Sequence, residues 1–302
     1  MPAAPPGRPG PRGRMDEPRI RGAAPARFAA VLLGLAVLVP ATVAAQPPDE
    51  AFWEAGVGFA ALHLPDYRGA SHERGYAFPL PYFVYRGDFL KADRDGVRGV
   101  LFDSERVDFN LSVGASLPVD SSQSEVREGM SDLRAALELG PSLEITLWRS
   151  DRSRAKVDLR LPLRGAMTIE SDPRFIGVQF FPHLNLDVKD VGGIAGWNLG
   201  VLAGPVYTDQ RYNRYFYAVS PDEATASRPA YDPGGGYGGM QFIVATSRRF
   251  GRAWVGGYLR YDTLAGATYA DSPLVTSRRY AAGGIGVSWV FAESSRRVPA
   301  EY

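Results

Sequence analysis

The 302-residue chain contains no cysteine. That excludes a disulfide framework, a thiolate metal centre and a cysteine nucleophile. Histidine is almost as scarce, with only His63, His72 and His183. Excess charge is missing too. The formal net charge of +1 gives no reason to expect nucleic acid or another polyanion as a partner. Beyond residue 45 no stretch reaches the roughly 18 uninterrupted apolar residues of a membrane helix. Such a chain can span a membrane only as a closed barrel.

What is present is a two-residue alternation. Val107, Phe109, Leu111 and Val113 alternate with Asp108, Asn110, Ser112 and Gly114. Val157, Leu159, Leu161 and Leu163 alternate with Lys156, Asp158, Arg160, Pro162 and Arg164, and the pattern closes on Ile285, Val287, Trp289 and Phe291. Successive side chains of a strand point to opposite faces, so each segment has one apolar and one wet face. The expected fold is all-β, a single closed antiparallel transmembrane β-barrel of about 12 strands, with about ten as the alternative.

The expected strands lie at 51–62, 77–86, 97–103, 106–116, 134–148, 154–167, 174–188, 194–207, 213–220, 237–248, 251–263 and 280–291. Residues 150–153 and 249–252 read as tight turns, and 63–76, 117–133, 221–236 and 264–279 as long polar loops. Short periplasmic turns should alternate with long outer loops. Residues 117–133 break that rule, because after four expected strands they fall on the short-turn side. Either they form a large periplasmic loop or a strand is miscounted nearby.

Composition favours a membrane wall over a periplasmic sandwich or lipocalin-like barrel. Many of the 34 glycines, among them Gly56, Gly114, Gly140 and Gly256, fall inside expected strands. They would weaken a soluble core, but on a curved wall they allow bending and close packing. Tyr82, Tyr85, Trp148, Tyr207, Tyr261 and Trp289 lie toward strand ends, as interfacial girdles should.

The alternation also assigns charges to the inside. If Val157, Leu159, Leu161 and Leu163 meet lipid, then Lys156, Asp158, Arg160 and Arg164 face the lumen, since Lys or Arg at the lipid midplane costs about 2–4 kcal/mol. Glu138 and Glu144 face inward by the same parity, and Asn185, Asp187, Arg260 and Asp262 are similar candidates. One reading is a polar pore lining. The other, favoured for so narrow a barrel, is a set of ion pairs between neighbouring strands that fills the lumen.

The N-terminus reads as a secretory leader over residues 1–45. Pro, Gly and Arg dominate residues 1–27, Phe28 to Val39 form a short apolar run, and small residues at Val43 and Ala45 suit cleavage before Gln46. Met15 is an alternative initiator. The mature domain is then 46–302, a barrel with a short tail over 292–302.

Three further segments carry a resemblance. The first is Pro65-Asp66-Tyr67-Arg68-Gly69-Ala70 with Pro79-Leu80-Pro81-Tyr82; the second is Tyr212 to Ser220, including Tyr215 and Phe216; the third is Gly257 to Asp262 followed by Asp271-Ser272-Pro273-Leu274-Val275. In this order and spacing, from Gly56 to Phe291, the chain resembles the MipA/OmpV family of Gram-negative outer-membrane proteins. The resemblance implies an exported, noncatalytic outer-membrane barrel without cofactor. It also implies a role as scaffold for peptidoglycan-remodelling enzymes, with a lytic transglycosylase and a penicillin-binding protein as partners; surface antigens, adhesins and porin-like proteins are the family's other roles. The aromatic that commonly ends such barrels would be Phe291, but residues 292–302 follow it.

Catalysis has thin support. His63, Asp66, Ser71, His72 and Glu73 form the densest candidate for a hydrolase. No Gly-x-Ser-x-Gly elbow is present, and the His63 to His72 spacing is no recognised zinc pattern. The reading carried forward is a scaffold, with a channel for small solutes and an outer-membrane hydrolase as alternatives.

Overall fold

The computed structural model describes residues 49–86, 90–93, 96–104, 106–150 and 152–299; the leader expected at 1–45 lies outside them. Its strands are β1 (Asp49–Ala51), β2 (Trp53–Pro65), β3 (Glu73–Arg86), β4 (Leu90–Asp93), β5 (Gly96–Asp103), β6 (Val107–Ser116), β7 (Ala136–Ser150) and β8 (Ala155–Thr168), then β9 (Phe175–Phe180), β10 (His183–Lys189), β11 (Trp197–Thr208), β12 (Gly236–Phe250), β13 (Ala253–Thr263), β14 (Arg279–Glu293) and β15 (Arg297–Pro299). One helix, α1 (Gln210–Tyr217), interrupts them.

Antiparallel pairing closes these strands into a ring. β14 pairs with β2 from Gly283↔His63 to Glu293↔Glu54. On the far side β8 pairs with both β9 and β10, and both of these pair with β11. β9 and β10 are one strand broken at Phe181-Pro182, where proline supplies no N–H to the ladder. The 13-stranded sheet therefore forms a ring of twelve staves. β1 and β15 pair outside the ring and tie the two ends of the described chain together.

The faces follow the alternation. Val57, Phe59, Leu163, Leu259, Ile285 and Val287 are exposed, whereas Asn110, Glu138, Glu144, Asp158 and Asp262 on the opposite face are buried. A soluble sandwich would bury the apolar set instead. Gly140 shows why small residues suit this wall: a Cβ there would lie 1.9 Å from the Leu163 carbonyl oxygen. Trp148, Tyr207, Tyr261 and Trp289 are exposed near strand ends, but Tyr82 turns inward, 3.5 Å from Glu54.

Several expectations are corrected. Residues 213–220 are not a strand. Asp209 caps α1 by accepting a hydrogen bond from the Tyr212 N–H, and Tyr212, Asn213, Phe216 and Tyr217 are buried with helical spacing. A strand not expected, β4, covers only four residues, too few to show alternation. Its presence makes residues 117–133 follow the fifth ring strand rather than the fourth. They then join 66–72, 169–174, 209–235 and 264–278 at one end of the barrel, while the turns at 152–154, 190–196 and 251–252 and β1–β15 occupy the other. The first loop is also shorter than expected, because β2 runs to Pro65 and β3 begins at Glu73.

Replacing Leu259, mid-strand on the exposed face of β13, by arginine is expected to cost about 2–4 kcal/mol. Urea unfolding of protein refolded in lipid vesicles measures it; a neutral result would mean that this face does not meet lipid.

Candidate functional site: a capped polar lumen

The buried apolar core of this protein sits in its loops. Tyr67, Val119, Leu133, Tyr212, Phe216, Tyr217, Leu264, Tyr269 and Leu274 pack together over one mouth of the barrel. The first loop enters through Gly69, whose φ of +95° a Cβ would strain and whose Cβ would meet Leu264 Cδ1 at 2.8 Å. Its carbonyl accepts from the Thr276 and Ser277 N–H groups at 2.8 and 2.9 Å. Tyr67 Oη donates to the Leu274 carbonyl at 2.8 Å, Tyr217 Oη to the Arg68 carbonyl at 2.9 Å, and Ser272 Oγ to the Tyr217 carbonyl at 2.7 Å. The Tyr217 and Tyr269 rings stack at 3.9 Å.

Two buried arginines fasten the remaining loops. Arg127 Nη1 donates to the Phe216 carbonyl at 3.3 Å and Nη2 to the Ser131 carbonyl at 3.0 Å. Arg228 Nη1 donates to the Val126 and Glu128 carbonyls at 2.9 Å. The three segments that carried the family resemblance thus meet in one cap. Pro65 ends β2; Asp66 holds Arg74 at 2.7 Å and His72 at 3.0 Å; Tyr215 Oη accepts from the Arg134 N–H at 2.8 Å; Asp271 pairs with Arg278 at the surface; Pro273 is half-buried beside Ser272.

Burial raises the Tyr67 hydroxyl to about 12, with the Arg127 guanidinium pulling it down and Asp66 pushing it up. Burial likewise raises Tyr212 and Tyr217 well above the ordinary tyrosine value.

Beneath the cap lies a cavity of about 450 Å³, lined by Glu138, Glu144, Arg160, Arg164 and Arg260 among others. Lys156, Asp158, Asp187 and Asp262 lie outside that lining as ion partners. Arg160 reaches Glu144 at 3.6 Å, Asp158 at 3.6 Å and Asp187 at 3.5 Å, and Lys156 holds Asp158 at 3.0 Å. Arg164 donates from Nε and Nη2 to Ser112 Oγ at 2.9 and 2.7 Å and lies 3.8 Å from Glu138. Tyr212 Oη donates to Glu138 at 2.9 Å, joining cap to wall. Asp262, 0% exposed, pairs with both Arg260 and Arg68. At the far end Glu54 is buried between Arg249 at 2.7 Å and Arg86 at 3.2 Å.

Sequence reasoning missed Arg68, Arg127, Arg228, Tyr212 and Glu54 as organising residues. Arg68 meets Asp262 across 194 positions, a separation no local pattern reveals.

The hydrolase candidates do not assemble. His63 pairs with Glu73 at 2.7 Å and His72 with Asp66, while Ser71 donates its backbone N–H to Thr276 Oγ1. Among the described residues no nucleophile–base pair forms between Ser71 and either histidine, and no cluster of three metal-binding side chains is present.

Residues 57–291 match the family described as MltA-interacting protein MipA. The chain belongs to this family. It is 26% identical over 216 residues to outer membrane protein OmpV of Vibrio cholerae serotype O1, covering 69% of this chain and 76% of that protein. It is also 26% identical over 250 residues to Omp26La of Vibrio anguillarum, covering 80% and 88%. A bacterial polysaccharide outer membrane secretin overlays 80% of this chain and 100% of its own at 10% identity and a TM-score of 0.39, too loose to carry an argument. This member of the MipA/OmpV family is an outer-membrane β-barrel protein, and by the usual rule its capped end is external and its short turns periplasmic.

Replacing Asp262 by asparagine leaves the half-buried Arg68 and Arg260 without their shared carboxylate. Unfolding in urea should show a loss of about 3–5 kcal/mol. Tyr67 has its own signature. Its folded value lies above its ordinary value of 10, so its contribution is complete below pH 10 and lost as pH rises to about 12. Alkaline titration of tyrosinate absorbance should show a delayed phase whose amplitude falls by one tyrosine in Tyr67→Phe, and protease sensitivity of the cap should rise in the same window.

Proposed function

We propose that this protein is a noncatalytic scaffold in the outer membrane for peptidoglycan-remodelling enzymes, exported through residues 1–45 and cleaved before Gln46. The observation that carries the reading is the cap. An outer mouth filled by an interlocked aromatic core suits a rigid platform better than an open axial conduit. The family description as MltA-interacting protein supports a murein enzyme as partner, and contact at the periplasmic end, where β1–β15 and the short turns lie, suits enzymes that work on the wall. The histidine, serine and acid pairings of the first loop stabilise that loop.

A second reading, a channel for small solutes, is favoured by the polar cavity under the cap. The two separate in a planar bilayer. The scaffold should insert as a folded, heat-modifiable band without stepwise conductance, and should recover a lytic transglycosylase or a penicillin-binding protein from solubilised envelopes. Conductance steps with no recovered wall enzyme would replace the scaffold by the channel. The mass of the mature protein, beginning at Gln46, checks the leader.

A further inference from the structure

The ring is thin on one side. β3 has 14 residues, yet β4 meets it only at Tyr85↔Ala92 and Arg86↔Lys91. β5 meets β6 only between Val100↔Asn110 and Asp103↔Asp108. Among the described residues, 73–84 of β3 and 111–116 of β6 therefore pair on one side alone. Chain length accounts for this. Only residues 87–106 separate β3 from β6, and because they must rise and return, neither leg can match the height of β3.

Two prolines mark the gap in the sequence itself. Arg86 N donates to the Phe52 carbonyl, and Asp66 N donates to the His72 carbonyl at the other end of the same ladder. Alternate residues of an antiparallel ladder bond to the same neighbour, so the even-numbered residues of β3 bond to β2 and the odd ones face away. Pro79 and Pro81 are odd. The side of β3 that faces the gap thus lacks two donors that a neighbouring strand would need.

The cavity bears the same imprint. An unbroken wall offers an internal cavity one face of each strand, but this cavity is lined by Asn110, Ser112 and Gly114 and also by Leu111, Val113 and Ala115 from the opposite face of β6. Across the gap Leu80, on the lumen side with its partner Gly58, is 43% exposed. Unpaired backbone at membrane depth is tolerated where it borders a cavity.

We propose that the gap between β3 and β6 is a lateral portal from the outer half of the membrane into the lumen. It admits an amphipathic small molecule whose apolar body lies against Phe78, Leu80, Leu111 and Val113. The polar head reaches Ser112, Arg164 and Glu138. This path enters through the wall and needs neither an axial pore nor an enzyme partner, so it stands apart from the scaffold reading.

The chain has no cysteine, so single cysteines test the portal in full-length protein refolded into vesicles. Ser112→Cys should react with an N-alkyl maleimide dissolved in the bilayer at a rate comparable to the outward-facing Val113→Cys. Ser247→Cys, on the lumen side of β12 between two paired neighbours, should react only with a water-soluble maleimide. Equal rates for Ser112→Cys and Ser247→Cys with the bilayer reagent would overturn the portal. For the ligand, a dansyl-labelled single-chain amphipath should gain fluorescence with the parent and lose that gain with Ser112→Trp. An unchanged gain in that variant, or none with the parent, overturns the assignment.

Discussion

Backbone N–H and C=O groups that face lipid need partners within the protein, and the pairing of β14 with β2 supplies them where an open sheet would end in two bare edges. Closure dictates the rest. It turns most apolar residues outward and the polar ones inward, so that Asp158, Asp262 and Glu138 are buried inside the ring. Buried charges must then be matched, and they are: Arg160 stands among three carboxylates, and Asp262 serves two guanidinium groups.

The apolar core that a soluble domain keeps between its layers has moved into the connections. Loops with so many aromatic residues would expose a large greasy surface if they stood apart. They meet instead over the outer mouth, where Tyr217 stacks on Tyr269 and meets Tyr67 edge-on, and Arg127 and Arg228 hold carbonyls from several segments. The cap joins the wall through Tyr212 on Glu138 and Arg68 on Asp262. A platform rigidified in this way can present fixed surfaces to partners, and the remaining weakness in the wall lies beside it, between β3 and β6.

Much of the wall was legible because its alternation is local. Val157 to Leu163 and Ile285 to Phe291 declare their strands and faces within a few residues, and membrane cost then assigns Lys156 and Arg160 to the inside. The helix at Gln210–Tyr217 was misread as a strand because its aromatic residues are as common in strands, and only the Asp209 cap and the buried 3.6-residue spacing separate the two. β4 was missed for the opposite reason, being too short to carry a period. The two errors cancelled in the strand count but not in the side on which residues 117–133 emerge.

By itself, then, the sequence determined the class of fold, the lipid-facing side of the long alternating strands and the family, because each depends on residues a few positions apart or on motifs kept in order. Only the tertiary structure decided that those motifs form one cap, that Arg68 answers Asp262 and that the wall opens between β3 and β6. These depend on which distant segments closure of the ring brings together, and neither periodicity nor composition carries that information.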